Sequence, residues 1–165
     1  MFLSLLTIST WNVRCPVTSM AVKEKYKLGI EELRIVQLRE QIEQMQSDRF
    51  ICQVIGVNLV EVGVGYAKVE LDILKKHMNG IGICQGGVLF SIADYAVATA
   101  SNYGGKSVVS LDMSISFCKA ITLGKITAEA YETCRTGSTN VGTVMVYDDM
   151  RRLICILCTR GYVLH

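Results

Sequence analysis

Residues 79–102 read NGIGICQGGVLFSIADYAVATASN, and this stretch decides the fold. It begins as a glycine-rich loop and continues after Gly87 as a run of small and apolar side chains, with several alanines and no proline. The run is too long for a strand, so it predicts a helix. Because it is apolar on nearly every side, we expect that helix to be buried in the middle of the domain.

Asp94 is the only charged residue inside this predicted helix. A carboxylate about two turns into a buried helix is unfavourable unless something compensates for its desolvation, so Asp94 is a candidate functional group. The alternative is a structural carboxylate that buried backbone donors satisfy. The residues alone leave both interpretations open.

Two backbone donors lie at the start of the helix. Gly86 and Gly87 immediately precede the apolar run, so their N–H groups belong to the donors that a helix N-terminus leaves unpaired. The helix dipole adds positive potential there, and glycine lets a ligand approach the backbone closely. These donors suit the oxyanion that develops on a carbonyl group, and Asn79 supplies an amide that can orient a carbonyl or a water. A tight turn needed only for packing is the alternative.

The composition indicates one folded domain, since 50% of the 165 residues are hydrophobic and only 19% are charged. The basic residues are not gathered into one run, which argues against a nucleic-acid partner. Most of the seven cysteines lie in apolar segments, so we interpret them as reduced residues of a cytoplasmic protein. Cys155-x-x-Cys158 has the spacing of a metal or redox pair, but its residues would face opposite sides of a strand and no second pair accompanies it. We therefore expect no metal site.

Three segments are predicted along the chain. Residues 1–22 are expected to be a poorly ordered leader or a misannotated extension, because their short apolar part has no positive charge before it. Residues 23–47 predict an amphipathic helix that packs on the domain or, alternatively, binds a partner. Its apolar residues recur at steps of three and four: Ile35, Leu38, Ile42 and Met45. Residues 48–165 are expected to form the main domain.

The rest of the chain predicts strands joined by short turns. Residues 51–62 indicate a strand or a strand pair, with a turn at Gly63 and Gly65, and residues 67–73 alternate as a strand with one wet face. After the central helix, four further strands are predicted at residues 109–117, 125–134, 139–147 and 153–163. The last of these is nearly continuously apolar, which indicates a central position. The order predicts an α+β fold in which an antiparallel sheet holds one long helix on its concave face.

The central stretch resembles the signature of a known enzyme family. The motif that carries the resemblance is Asn79-x-x-Gly82-x-x-Gln85-Gly86-Gly87, followed by Phe90 and Asp94. It is similar to the motif of hotdog-fold acyl-CoA thioesterases of the phenylacetic-acid-degradation type, in which a His stands in place of the Gln. Residues 109–117 and the hairpin of residues 141–159 are similar as well, so the resemblance covers about residues 48–164. It implies the hotdog fold, an antiparallel sheet wrapped around one long central helix.

The resemblance also implies an activity and a set of roles. Such enzymes hydrolyse an acyl-CoA or aryl-acyl-CoA to the free acid and CoA, with the carboxylate that matches Asp94 acting as general base or nucleophile. The N–H that matches Gly87 polarises the thioester carbonyl, and the amide that matches Asn79 holds the carbonyl or the lytic water. A residue that matches Ser110 comes from the other subunit and helps to position water. Homodimers with sites between subunits, often paired into homotetramers, are implied, and no metal or cofactor besides the CoA substrate.

Gln85 is the main departure from that family pattern. Gln can donate and accept hydrogen bonds but cannot become charged near neutral pH. If the family's His mainly positions the loop or the thioester, Gln85 can substitute for it; if the His assists departure of the leaving group, activity would be weak. His77 is expected to be an exposed loop residue without a catalytic role.

Substrate binding is assigned to a second set of residues: Gly86, Phe90, Lys106 and Lys119. Because CoA is anionic, basic side chains at the mouth of the site are candidates for its phosphates. They are Lys75, Lys76, Lys106, Lys119 and Arg135. The alternative for each is an ordinary solvated surface charge.

Two other functions remain open on this fold. A non-catalytic acyl-CoA sensor is suggested by Gln85 and by residues 23–47, which could couple ligand binding to a partner. A hydratase or dehydratase of enoyl thioesters is the third hypothesis, but that chemistry pairs a His with an acid and the motif lacks the His. No nucleic acid or membrane is expected as a partner.

Overall fold

The computed structural model of the protein describes residues 6–7, 30–105 and 107–164. In chain order the strands and helices are β1 (Leu6–Thr7), α1 (Ile30–Gln46), β2 (Asn58–Gly63), β3 (Tyr66–Ile73), α2 (Gly86–Asn102), β4 (Val108–Phe117), β5 (Gly124–Arg135), β6 (Thr139–Asp148) and β7 (Leu153–Val163). A π-helical turn, Arg49–Ile55, follows α1, and a 3-10 turn, Lys75–His77, follows β3.

The strands described here form one antiparallel sheet in the order β1-β2-β3-β5-β6-β7-β4. The chain leaves the sheet after β3, lays α2 against it, and returns as β4 at the far edge. β5 then lies beside β3, and β6 and β7 fill the sheet from there back to β4. β7 lies between β6 and β4, so its long apolar run belongs to an interior strand, as predicted.

The core lies between α2 and the sheet. One side of α2 is fully buried through Ile92, Ala93 and Ala96, and it faces buried side chains of the strands such as Val69 and Val144. The alanines bring the helix close to the sheet, and α2 ends at Asn102, before Gly104 with its φ of +70°. The predicted hotdog architecture, an antiparallel sheet wrapped around a long central helix, is confirmed.

The segment before β2 corrects one prediction. Residues 49–55 form the π-helical turn instead of the start of a strand, and β2 begins only at Asn58. The carboxylate of Asp48 accepts a hydrogen bond from Ile51 N–H at 2.9 Å, and Gly56, with φ of +96°, ends the turn. A short apolar run buries equally well as a helical turn or as a strand, so the pattern alone could not separate the two.

α1 packs on the domain through its second half. Leu38, Ile42 and Met45 contact the core, whereas Ile35 is 44% exposed and does not belong to the packed face. The side-chain oxygen of Gln41 also accepts a hydrogen bond from Gly104 N–H at 2.9 Å. α1 therefore covers residues 30–46 of the segment predicted as a helix, and residues 23–29 lie outside the described part of the chain.

Of the predicted leader, residues 1–22, the structure describes only β1, which pairs with β2. The division of the chain at residues 22 and 47 stays a prediction. Within the described ranges, no helix is long and apolar enough to cross a membrane, and no group of His, Cys, Asp and Glu side chains could hold a metal ion. Cys155 is buried and Cys158 exposed, on opposite sides of β7 as expected, and both are free thiols.

Candidate active site

The side of α2 that faces away from the sheet contains the central candidate residues. Gly87, Ser91, Asp94 and Ala98 follow one another at steps of four, three and four residues, so they share one face of the helix. Gly87 and Ala98 are exposed, and Ser91 and Asp94 are half-buried. This face places the N–H of Gly87 and the carboxylate of Asp94 about two turns apart on the open side of the helix.

Asp94 has an electrostatic environment that favours its neutral form. Burial raises the pKa of its carboxyl, and the negative charge of Asp48 raises that pKa further. None of the described residues donates a hydrogen bond to the Asp94 carboxylate. The structure therefore shows an unpartnered, half-buried carboxylate, not one that backbone donors satisfy.

Asp48 is a functional candidate that the sequence interpretation missed. Its carboxylate caps the π-helical turn and also lies close enough to Asp94 to raise the pKa of that group. An Asp between a helix and an apolar run is a recognisable capping signal. Its proximity to Asp94, 46 residues later, follows only from the packing of the π-helical turn against α2.

The Gly87 N–H, predicted to hold an oxyanion, already has an acceptor. Gln85 precedes α2 as its N-cap residue, and its side-chain oxygen Oε1 accepts from Gly87 N–H and, at 3.2 Å, from Val88 N–H. A Cβ atom at Gly87 would lie 2.6 Å from that oxygen, so glycine permits the close approach. A carboxamide carbonyl thus occupies the donors that a thioester carbonyl would use.

Asn79 holds the shape of the glycine-rich loop. Its side-chain oxygen accepts hydrogen bonds from Ile81 N–H at 3.0 Å and from Ile83 N–H at 3.3 Å. Its own backbone N–H donates to the carbonyl of Ile83 at 2.8 Å. Since the oxygen is engaged, what Asn79 can offer a ligand is its Nδ2, which has no partner among the described residues.

His77 is buried, with 4% exposure, so its expected exposed position is wrong. Its Nδ1 accepts from Leu74 N–H at 3.0 Å, which leaves Nε2 protonated to donate to the Ile55 carbonyl at 2.9 Å. The ring is therefore neutral and joins the π-helical turn to the 3-10 turn. The His77 carbonyl accepts from Gln85 N–H at 2.8 Å, so this residue supports the loop without facing the site.

A cavity of about 320 Å³ lies beside the glycine-rich loop; we call it the loop cavity. Its walls bring together three predicted site residues, Asn79, Gly86 and Lys119, with the ring of Phe117. A Cβ at Gly86 would lie 3.1 Å from that ring, so a larger residue there would require Phe117 to move by a few tenths of an ångström. The loop cavity therefore combines an apolar wall with an amide and one cation.

Three other predicted residues lie elsewhere. Ser110 is exposed on the edge strand β4 and lines neither the loop cavity nor the cavity between α1 and α2. Phe90 is half-buried and packs against the core. Lys106 lies outside the described residues.

Two of the basic candidates for CoA phosphates already have partners. Lys76 Nζ donates to the carbonyl of Val54 at 2.6 Å. Arg135 forms an ion pair with Glu132 and donates to the carbonyl of Ser101 at 2.6 Å. Lys119, at the loop cavity, is therefore the better-placed candidate.

Comparison with known proteins identifies the family to which this chain belongs. The model of the thioesterase superfamily matches residues 81–155. An Archaeoglobus fulgidus protein named as an esterase is 34% identical over 146 residues, which cover 87% of this chain and 90% of that protein. The chain belongs to the thioesterase superfamily. The acyl-coenzyme A thioesterase PaaI of Escherichia coli K12 is 27% identical over 103 residues, 62% of this chain and 74% of PaaI.

Solved structures share the fold of this superfamily member. The structure of Escherichia coli PaaI has a TM-score of 0.73 at 22% identity and covers 78% of this chain and 94% of its own. A Streptococcus mutans protein, solved with acetyl CoA bound, has a TM-score of 0.63 at 22% identity and covers 66% of this chain and 88% of its own. Both likenesses agree with the hotdog architecture described above.

Proposed function

We propose that this protein hydrolyses an acyl-CoA thioester to a free acid and CoA. The observation that carries the proposal is the unpartnered Asp94 carboxylate, on the same open face of α2 as the Gly87 N–H. A carboxylate with a raised pKa is a stronger base than an ordinary one, and a helix N-terminus is suited to a developing oxyanion. The acyl-CoA thioesterase name of PaaI and the acetyl CoA bound to the Streptococcus mutans neighbour support a CoA thioester as substrate.

In the proposed reaction the thioester carbonyl oxygen accepts a hydrogen bond from the N–H of Gly87. Asp94 takes a proton from water, and the resulting hydroxide attacks the carbonyl carbon to form a tetrahedral oxyanion. The C–S bond then breaks, and the proton on Asp94 passes to the departing thiolate sulfur. Direct attack by Asp94 through a mixed anhydride is the second route. Neither route uses a cofactor besides the CoA of the substrate.

For this reaction to occur, the side-chain oxygen of Gln85 has to move away from the N–H of Gly87. This oxygen, Oε1, accepts hydrogen bonds from Gly87 N–H and Val88 N–H. When the thioester carbonyl oxygen arrives, it replaces Oε1 as the acceptor. The exchange conserves the hydrogen bonds of the helix N-terminus, and its net free energy is therefore small. Gln85 thereby keeps the helix start capped until the substrate takes its place.

The CoA part is assigned to the loop cavity. Lys119 offers a cation to the phosphates, and Nδ2 of Asn79 offers a hydrogen-bond donor next to the reacting group. Gly86 and Phe117 both line this cavity, where Phe117 offers an apolar surface to the chain. Phe90 and Lys106 stay predictions of the family resemblance.

A second copy of the chain is proposed to complete the site. β4 is at the edge of the described sheet, and its apolar side chains Val109 and Leu111 are 46% and 58% exposed. An exposed apolar edge strand is a ready partner for another strand. Pairing of two β4 strands would form a homodimer and bring Ser110 of each copy towards the other copy's site. A homotetramer and a cytoplasmic location remain predictions.

The direct test is release of free thiol from a panel of acyl-CoAs, for example acetyl-CoA, hexanoyl-CoA and phenylacetyl-CoA. We expect saturable turnover of at least one of them. Tight binding of the panel without thiol release would instead support the acyl-CoA sensor, which is favoured by one observation, the occupation of Gly87 N–H by Gln85. Hydration of an enoyl-CoA would support the third hypothesis, although the buried, neutral His77 does not face the site.

A further inference from the structure

A second cavity, of about 290 Å³, lies between α1 and the C-terminal half of α2; we call it the α1–α2 cavity. The residues that define it are Gln41, Gln44, Met45, Asp48, Tyr95, Ala98, Thr99, Asn102, Gly105 and Ser107. Asp94 directly precedes Tyr95, and Ala98 lies one turn further along the open face of α2. The cavity therefore begins next to the candidate base, at the end of α2 opposite to the loop cavity.

Thr99 presents an unused polar atom in this cavity. The residue is 1% exposed, and its Oγ1 has no hydrogen-bond partner. The Tyr95 hydroxyl donates to the carbonyl of Met45 at 3.1 Å and accepts from Cys52 Sγ at 3.7 Å. It also lies near the Thr99 hydroxyl, but among the described residues no group is within hydrogen-bond geometry of Thr99 Oγ1. A buried hydroxyl without a partner is rare in native proteins and indicates a missing ligand or water.

The other walls show which chemistry the cavity accepts. The Gln44 amide has no partner among the described residues, and Asp48 uses only Oδ1 to accept from Ile51 N–H. Asn102, in contrast, is fully engaged with Ala98 and Val108. The carboxylates of Asp48 and Asp94 are near, but Arg135 Nη1 would lie 3.8 Å from a Cβ at the lining residue Gly105, so the described charges do not select against an anion. A neutral hydroxyl can donate to Asp48 or Thr99 and accept from Thr99 or Gln44.

We propose that the α1–α2 cavity receives the acyl group of the substrate and that Thr99 hydrogen-bonds a hydroxyl on the far end of that group. The inference rests on the proposed thioesterase activity. A thioester centred between Gly87 and Asp94 has two arms, and the loop cavity with Lys119 suits the CoA arm. The acyl arm then points towards the α1–α2 cavity, where α1 forms the outer wall. Since a cavity of about 150 Å³ holds a benzene molecule, the observed volume accommodates a short acyl chain.

The test compares two CoA esters that differ by one hydroxyl, hexanoyl-CoA and 6-hydroxyhexanoyl-CoA. In the wild type, kcat/KM should be about fivefold higher for the hydroxylated ester, as expected for one neutral hydrogen bond. Thr99→Val should bring the ratio of the two near one, whereas Thr99→Ser should keep it. Thr127→Val, on β5, is the matched control that should leave the ratio unchanged.

Binding of the corresponding non-hydrolysable thioethers, S-hexyl-CoA and S-(6-hydroxyhexyl)-CoA, measured by calorimetry, separates this inference from the proposed function. Tighter binding of the hydroxylated thioether by the wild type but not by Thr99→Val supports the cavity assignment even if no ester is hydrolysed. Turnover without a hydroxyl preference, or an equal loss on both esters in Thr99→Val, would overturn the assignment while leaving the thioesterase activity intact. An ordered water on Thr99 that persists with bound ligand would also overturn it.

Discussion

At the residue scale, the proposed reaction makes Gln85 and the substrate compete for the same N–H groups at the start of α2. A carboxamide oxygen and a thioester oxygen are both neutral carbonyl acceptors, so in this proposal Gln85 caps α2 in the free protein and the substrate displaces it. This competition would explain how the site works with Gln85 in place of the His that similar proteins have. A neutral side chain at this position stabilises the helix start but cannot supply a proton to the leaving thiolate, so that proton must come from Asp94.

The competition predicts an opposite effect of Gln85→Ala on stability and on KM. Loss of the cap should cost about 1 kcal/mol, which corresponds to roughly 2–4 °C in Tm. Removal of the internal competitor should lower KM by up to about fivefold, the equivalent of one neutral hydrogen bond. Calorimetry and steady-state kinetics measure the two effects, with the exposed Gln37→Ala on α1 as control. A raised KM at unchanged Tm would show that Gln85 binds substrate and does not cap the helix.

Asp48 should set the acid limb of the pH profile. The pKa of Asp94 is raised, so Asp94 loses its proton, and becomes a base, only above a higher pH than an ordinary aspartate; kcat/KM then falls as the pH drops through that pKa. Asp48→Asn removes one cause of the shift and keeps a capping side chain, so the acid limb should move to lower pH. The pH dependence of kcat/KM measures this, with Asp149→Asn as control. An unmoved limb would exclude electrostatic coupling of the two carboxylates.

At the element scale, the proposed homodimer would form through the edge strand β4, and each site would then gain Ser110 of the other copy. Leu111 lies at a bulge between Ser110 and Asp112, where the ladder to β7 shifts, so its side chain can change without loss of a β4–β7 pair. The same bulge turns an apolar side chain outward at the position where a second β4 would lie. Assembly and catalysis are thus expected to depend on one short strand.

Leu111→Asp is predicted to produce monomers and to lower kcat by at least about tenfold. A charge at the centre of a strand pair opposes association, and each site would lose Ser110 of the other copy. Light scattering after gel filtration gives the mass, and thiol release gives the rate. The exposed Leu123→Asp, in the turn before β5, is the matched control. A wild-type monomer with full activity would refute the role of the β4 edge.

Elements differ in how well the residue pattern determines them. The long apolar run of α2 and the alternating strands have one favourable arrangement, so their positions could be predicted. The apolar residues 51–55 have two, and the π-helical turn wins because Asp48 caps it and Gly56 ends it. The apolar pattern of residues 51–55 does not distinguish the two arrangements; the residues that flank it do.

At the scale of the whole molecule, the fold was predictable and the site only in part. The order of a helix within a series of antiparallel strands specifies the wrapped sheet, and spacing along one helix specifies that Gly87 and Asp94 share a face. The approach of Asp48 to Asp94, the burial of His77 and the cavity at Thr99 arise from contacts between distant segments. Such contacts depend on the packing of α1 and the π-helical turn, which no local motif encodes.

The central claim is that Asp94 is the catalytic base or nucleophile of a CoA thioester hydrolase. The most direct measurement is kcat for thiol release by the wild type and by Asp94→Asn, at a saturating concentration of the best substrate in the panel. Asn preserves size, and loss of a half-buried, unpartnered charge should leave Tm the same or higher at pH 7. We predict that kcat falls by about 10²- to 10⁴-fold while the variant stays folded. A folded Asp94→Asn variant with unchanged kcat would contradict the account.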